Sequence, residues 1–187
     1  AEGRLLRRRG FLAALGLASS GKVVPHERTF SKPKQDRLRL LSAVRGNTSP
    51  IFLMYEDPSH AVRRILDRAC RGPHAARGRS PDGTLVRVWR LDEAQACGAL
   101  SRALAPKTLL VADGHHRLEV AREHWRRSDR PRGGAVLAYL CAEEDPGLVV
   151  FPTHRVITDR ASADRLAEAF SPRGGLGREC RVEPAAS

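Results

Sequence analysis

The stretch LLVADGHHRLEVAREHW, residues 109–125, passes from an apolar run into a helical pattern through one acid and one glycine. Nothing else in the chain limits its fold so tightly. An unbroken apolar run of strand length reads as a buried strand, and Gly114, Leu118, Ala121 and Trp125 then recur on one stripe of a helix. A strand feeding directly into an amphipathic helix implies layers of sheet and helix that cover each other's apolar sides.

The alternation repeats along the chain. Residues 11–17 form a strand, and a helix follows from Pro33 with Leu38, Leu41 and Val44 on one side. SPIFLMYE, residues 49–56, reads as a buried strand between two prolines. Ser59 is placed to cap a helix carrying Val62, Ile65, Leu66 and Ala69, ended by Gly72. Residues 73–83 are rich in Pro, Gly and Ser and read as a loop, and 84–91 as a half-exposed strand. Asp92 and Gln95 resemble the capping arrangement of a helix to about residue 104. TLLVA is the next strand, HHRLEVAREHWRR a helix and GAVLAYLCA a strand. GLVVFPTHRVI reads as a strand broken at Pro152, and residues 160–170 as a last helix. The expected fold is α/β or α+β, a mixed β-sheet with flanking helices, in one domain over residues 1–170. Residues 171–187 read as a flexible tail.

Size agrees with a single core, at 187 residues and 20.6 kDa. The 33 Lys and Arg against 21 Asp and Glu give a net charge of +12, so a nucleotide, phosphate ester or nucleic acid is a plausible partner. Arginines scattered over the whole length also fit a solvated surface. Cys70, Cys97, Cys141 and Cys180 form no C-x-x-C pair, which argues against zinc or a disulfide framework and for a reducing cytoplasm. No apolar run is long enough to span a membrane, and no membrane partner is expected. The chain opens at Ala1 rather than Met, as a fragment or processed product would.

Two motifs near the amino end mislead. RLLRRRGFLAALGLA, residues 4–18, has the order of an export signal, but GFLAALGL serves equally well as a strand. GLASSGKV, residues 16–23, matches G-x-x-x-x-G-K yet puts Val23 where a P-loop needs Ser or Thr, and VVPHE cannot open the helix that such a loop requires.

Chemistry concentrates at DGHHR. A strand ending at Ala112 places Asp113 and Gly114 at the carboxyl edge of the sheet, where open α/β folds bind ligands. Gly114 permits a sharp turn and close backbone approach, and the helix start favours an anion. His115 and His116 stand about 100° apart on a helix, so the pair does not chelate one metal, and one can meet phosphate while the other turns elsewhere. Arg117 supplies a fork for phosphate or carboxylate. Asp113 can hold a metal-nucleotide, act as a base, or merely cap the helix. Two further loops are candidates to converge there: residues 25–37, with His26, Glu27, Arg28, Thr29, Lys32 and Lys34, and residues 151–156, with Thr153, His154 and Arg155.

VVPHERTFSKPKQDRLRLL, NTSPIFLMYEDP, VADGHHRLEVA and DPGLVVFPTHRVI resemble, in order, the signature blocks of the bacterial and archaeal family known as domain of unknown function 1015. The resemblance covers residues 10–158. The chain departs from the family in having Leu118 where Tyr usually stands, and it is expected to lack the family's APPYDVI-like N-terminal segment and the sequence after its PTHR block. The DGHHR block is similar to the motif of the ParB and sulfiredoxin superfamily, which implies a phosphate-binding helix start. On that resemblance the chain is expected to be a phosphotransfer or related phosphate-handling enzyme that uses ATP or ADP with Mg and acts on a small molecule. Gly114, His115, His116 and Arg117 would hold phosphate, and His26, Arg28 and Arg155 would line the site. Glu27, Asp113 and His116 would carry the chemistry, with Glu27 or Asp113 as base or magnesium ligand and no dedicated metal site. The alternatives are a ParB-like nucleic-acid-binding or nucleotide-switch module and an inactive, truncated remnant. Sulfiredoxin chemistry is not expected, because the motif holds no cysteine.

Overall fold

The computed structural model describes residues 6–18, 22–25, 31–127, 134–150 and 159–169. Their elements run β1 (Gly10–Gly16), β2 (Val23–Val24), α1 (Ser31–Val44), β3 (Ile51–Tyr55), α2 (Ala61–Ala69), β4 (Ala76–Arg79), β5 (Leu85–Val88), α3 (Ala94–Leu104), β6 (Leu109–Asp113), α4 (His115–Arg127), β7 (Ala135–Ala142) and α5 (Arg160–Ala169). Five strands form one sheet in the order β1-β7-β3-β6-β2, while β4 and β5 form a separate pair. β1 is antiparallel to β7, β7 parallel to β3, β3 antiparallel to β6 and β6 parallel to β2. The architecture is α/β with a mixed sheet and flanking helices.

Continuous apolar sequence puts β3 in the middle of the sheet. Ile51, Leu53 and Tyr55 point to one face and are fully or nearly fully buried, while Phe52 and Met54 are half-buried on the other. On the first face they join Val111 of β6 and Val136, Ala138 and Leu140 of β7. Val62 and Leu66 of α2, Leu100 of α3, and Leu118 and Ala121 of α4 cover that layer. Each fully buried aliphatic side chain contributes about 1.5–3 kcal/mol, so the layer is the main source of stability. On the second face the Phe52 and Tyr139 rings stand 5.3 Å apart with the Arg8 guanidinium over both, and Leu12 remains 59% exposed.

Two compact units are distinguished, Ala1–Val149 and Val150–Ser187. The first holds the sheets and α1 to α4. In the second, the Asp159 carboxylate caps α5 by accepting from the Ser162 amide at 2.8 Å. Residues 171–187, expected as a tail, lie outside the described residues, as does 151–157 of the strand expected around Pro152.

Several local expectations are corrected. Residues 76–79 are strand, not loop. Pro81, Asp82 and Gly83 turn the chain: the Asp82 carboxylate accepts from the Ser80 hydroxyl, the Thr84 amide at 3.0 Å and the Thr84 hydroxyl at 2.9 Å, and Gly83 takes φ +85°. The strand expected at 84–91 is its partner over Leu85–Val88, with Leu85 61% and Val86 and Val88 each 46% exposed. Ser59 does not cap α2. Its N-cap is His60, in a left-handed conformation with φ 54°, and the buried Asp57 carboxylate instead accepts from the Arg63 amide at 3.0 Å. Asp92 is not a cap either. It pairs with Arg90 at 2.8 Å, and α3 starts behind Glu93 without a side-chain cap. Leu148–Val150 is not strand, because Asp145 turns the chain by accepting from the Gly147 amide through its side chain and from the Leu148 amide through its carbonyl, both at 2.9 Å. β6 runs one residue further than expected, to Asp113.

Candidate functional site

The junction between β6 and α4 forms as the sequence predicts. Leu118 and Ala121 pull α4 onto the core, which fixes where the helix begins, and the chain must turn from strand to helix at one residue, Gly114. That residue adopts φ +94°, a backbone shape that L side chains rarely take. A Cβ there would also lie 3.0 Å from Nε and Nη2 of Arg117 and from Cγ2 of Ile51. The Leu118 amide donates to the Gly114 carbonyl at 3.0 Å, which sets the first turn of α4 directly behind the strand end.

Arg117 organises the turn. Its Nη2 donates to Asp113 Oδ2 at 2.5 Å, while Nη1 donates to the Ser49 hydroxyl at 2.7 Å and the Pro50 carbonyl at 2.6 Å. The guanidinium thereby ties the helix start to the residues that lead into β3, and its Nε and Nη2 edge stands beside Gly114. A guanidinium has five N–H donors, and three of them are taken up in these bonds among the described residues. The Asp113 side chain is 72% exposed and lies at the sheet edge. His115 is buried and His116 half-buried, the divergence that the 100° step requires.

The structure therefore brings together Asp113, Gly114, His115, His116 and Arg117, and adds Ser49 and Pro50, which no local pattern in the sequence identified. β2 runs parallel to β6 but pairs only with Leu109 and Leu110, so it ends three residues short of the level of Asp113, with Pro25 following. His26, Glu27, Arg28 and Thr29 of the next segment and Thr153, His154 and Arg155 of the PTHR block lie outside the described residues, and nothing is described of the Lys32 and Lys34 side chains. Among the described residues, no group of three or more His, Cys, Asp or Glu is placed to share a metal ion.

A second polar cluster sits at the opposite edge, where β3 and β7 end. Asp57 is fully buried there. Its Oδ1 forms an ion pair with Lys107 Nζ at 3.3 Å, and Lys107 also donates to the Glu56 carbonyl at 2.7 Å. The Glu144 carboxylate accepts from the Asp57 amide at 2.8 and 2.9 Å, and Asp145 Oδ2 from the Arg9 amide at 3.2 Å. Burial first, and then the Asp57 charge, push the Tyr55 phenol well above its usual range. Each of these three carboxylates is committed to a backbone amide or a cation of the fold, so the cluster fastens strand ends together.

Among the described residues no helix is long and apolar enough to cross a membrane. Compared with known proteins, the chain matches the family described as "Protein of unknown function (DUF1015)" over residues 2–183. No curated protein and no solved structure matches it.

Proposed function

Because the chain belongs to the DUF1015 family, whose function is not established, its chemistry has to be argued from the site, and we propose a nucleotide- or phosphate-binding enzyme centred on the β6–α4 junction. One observation carries this reading: the turn at Gly114 takes a φ that disfavours a side chain, and it delivers the first turn of α4 together with His116 and the Nε and Nη2 edge of Arg117. Such a helix start favours an anion through its amides and its dipole, as the ParB and sulfiredoxin-like motif would require. The buried His115 would contribute through its backbone amide, and the half-buried His116 through its ring.

The proposed reaction is phosphotransfer to a small hydroxyl-bearing molecule, as in a serine kinase, in the cytoplasm. ATP or ADP, bound with magnesium, would supply the phosphoryl group. Asp113, exposed at the edge, or Glu27 would accept the proton of the acceptor hydroxyl as its oxygen bonds to the terminal phosphorus and the bridging P–O bond breaks to release ADP from ATP or AMP from ADP, and either could ligate the magnesium that arrives with the nucleotide. His26, Arg28 and Arg155 complete the proposed lining. Catalysis of this kind needs mainly positioning and charge stabilisation, which a rigid, glycine-enforced turn provides.

The test is a thermal-shift titration with ATP, ADP, CTP and pyrophosphate, each with magnesium. At 100 times its dissociation constant a ligand adds about 2.7 kcal/mol, which raises the midpoint by roughly 5–10 °C in a chain of this size. The shift should disappear in His116→Ala and in Arg117→Ala. Because Arg117 also holds the turn, His116→Ala is the cleaner variant. No shift with any of the four ligands, or a full shift in His116→Ala, would overturn the reading.

A further inference from the structure

The β4–β5 hairpin leaves every residue of both strands exposed. Its register sets Arg77 directly opposite Arg87 and Arg79 opposite Leu85, which places three guanidinium groups on one face, while Val86 and Val88 go to the other. Like charges facing each other across a strand pair destabilise it, and neither Arg77 nor Arg87 pairs with a carboxylate among the described residues. Between residues 71 and 90 the sequence supplies Arg71, Arg77, Arg79, Arg87 and Arg90 against a single carboxylate, Asp82. That carboxylate is taken up by Ser80 and Thr84 in the turn. The hairpin is thus built with charge that its own residues do not neutralise.

Trp89 closes one end of the cationic face. Its Nε1 donates to the Gly72 carbonyl at 3.0 Å, and its ring centroid lies 6.3 Å from that of His74. The two rings bound, with Arg77, Arg79, Leu85 and Arg87, an open groove of about 510 Å³, within the size range of ligand-binding clefts. We infer that this hairpin is a nucleic-acid-binding arm for single-stranded DNA or RNA, with phosphodiester oxygens on Arg77, Arg79 and Arg87 and a base against Trp89. The forked donors of arginine match phosphate oxygens, and an indole beside them offers the stacking surface that an unpaired base uses and a duplex does not. An acidic peptide would leave the indole unused. A lipid surface would gather the apolar groups beside the cations, whereas the register divides them, with Leu85 on the arginine face and Val86 and Val88 on the other. The arm stands on residues other than those of the phosphate-binding junction and does not depend on that reading.

The experiment is fluorescence anisotropy of the full chain with a labelled 20-nucleotide oligo(dT) between about 50 and 200 mM salt. Binding should weaken with salt. In the triple variant Arg77→Gln, Arg79→Gln, Arg87→Gln the affinity should fall at least about tenfold, and the slope of log K against log salt should flatten by about 2, the value for three lost single-strand phosphate contacts. Because these side chains are exposed, the thermal midpoint serves as the control for folding. Unlabelled oligo(dT) should quench tryptophan emission in the parent and not in Trp89→Phe, which retains Trp125 alone. Parental affinity and slope in the triple variant would overturn the inference. So would unchanged quenching in Trp89→Phe, or equal, arginine-dependent binding of a duplex of the same length, of polyglutamate or of phosphatidylserine vesicles.

Discussion

At Gly114 two constraints coincide, a φ of +94° and three heavy atoms at 3.0 Å from any added Cβ. Ala in its place should cost about 2 kcal/mol, lowering the thermal midpoint by roughly 4–8 °C, and should push the Arg117 guanidinium off Asp113. A midpoint equal to the parent's would mean that the turn accepts a side chain, and the rigidity argument for the junction would go with it. Lys107 is the other single residue on which much rests. Lys107→Ala would leave the fully buried Asp57 without its cation, an expected loss of about 3 kcal/mol, readable in thermal unfolding as roughly 6–12 °C. The two sites differ in how far the sequence announced them. DGHHR was legible because a glycine, a helix start and a core stripe are all local signals. The partners of Arg117 at Ser49 and Pro50, and the pairing of Asp57 with Lys107, join residues far apart in the chain, where no periodicity reaches.

Elements were legible where burial imposes a period. α4 spans His115–Arg127 as its apolar stripe requires, and β3, β6 and β7 lie where apolar runs of strand length stand. β4 was hidden because ARGR buries nothing and carries no apolar alternation, so only its turn and partner strand define it. The same lack of a buried face makes the hairpin sensitive to charge. Arg87→Glu replaces a facing pair of like charges with an attractive one and should stabilise the hairpin by about 0.5 kcal/mol, seen as slower amide exchange at Val86 and Val88. Unchanged or faster exchange would mean that the cross-strand repulsion is not felt. The turn has its own titration. Hydrogen bonds, first from the Ser80 hydroxyl and then from Thr84, hold the Asp82 carboxyl down at about 2. A carboxylate whose pKa is lowered by folding stabilises the turn above its unfolded value near 3.9, and the contribution is lost as pH falls through the folded value. The Ser80–Thr84 signals in an NMR titration should therefore hold down to about pH 4 and change between about pH 4 and 2.

At the scale of the whole molecule the two faces of the sheet are unequal, since the face that packs against α2, α3 and α4 holds the core while the other keeps Leu12 exposed and Phe52 half-buried. Cys141 and Tyr139 point to this second face from β7, the strand between β1 and β3. Burial, then the nearby Asp145 charge, raise the Cys141 thiol from 9.0 to about 11, and burial, then the thiolate that Cys141 would become, raise the Tyr139 phenol from 10.0 to about 12. Both groups bind their protons more tightly folded than unfolded. Their contribution is complete below the unfolded values and is lost as pH rises towards the folded ones, so the stability of the domain should decline from about pH 9 upwards. Tyr139 is only half-buried, which keeps the decline modest, a few degrees of midpoint by about pH 11. Thermal unfolding across pH 7 to 11 reads it directly, with Cys141→Ala as the comparison. That variant removes the thiol and also the charge that burdens Tyr139, so its midpoint should stay flatter above about pH 9 even if it starts lower. Identical pH profiles for parent and variant would show that the alkaline limit lies elsewhere, and that the second face of the sheet is wetter than its packing around Arg8, Phe52 and Tyr139 implies.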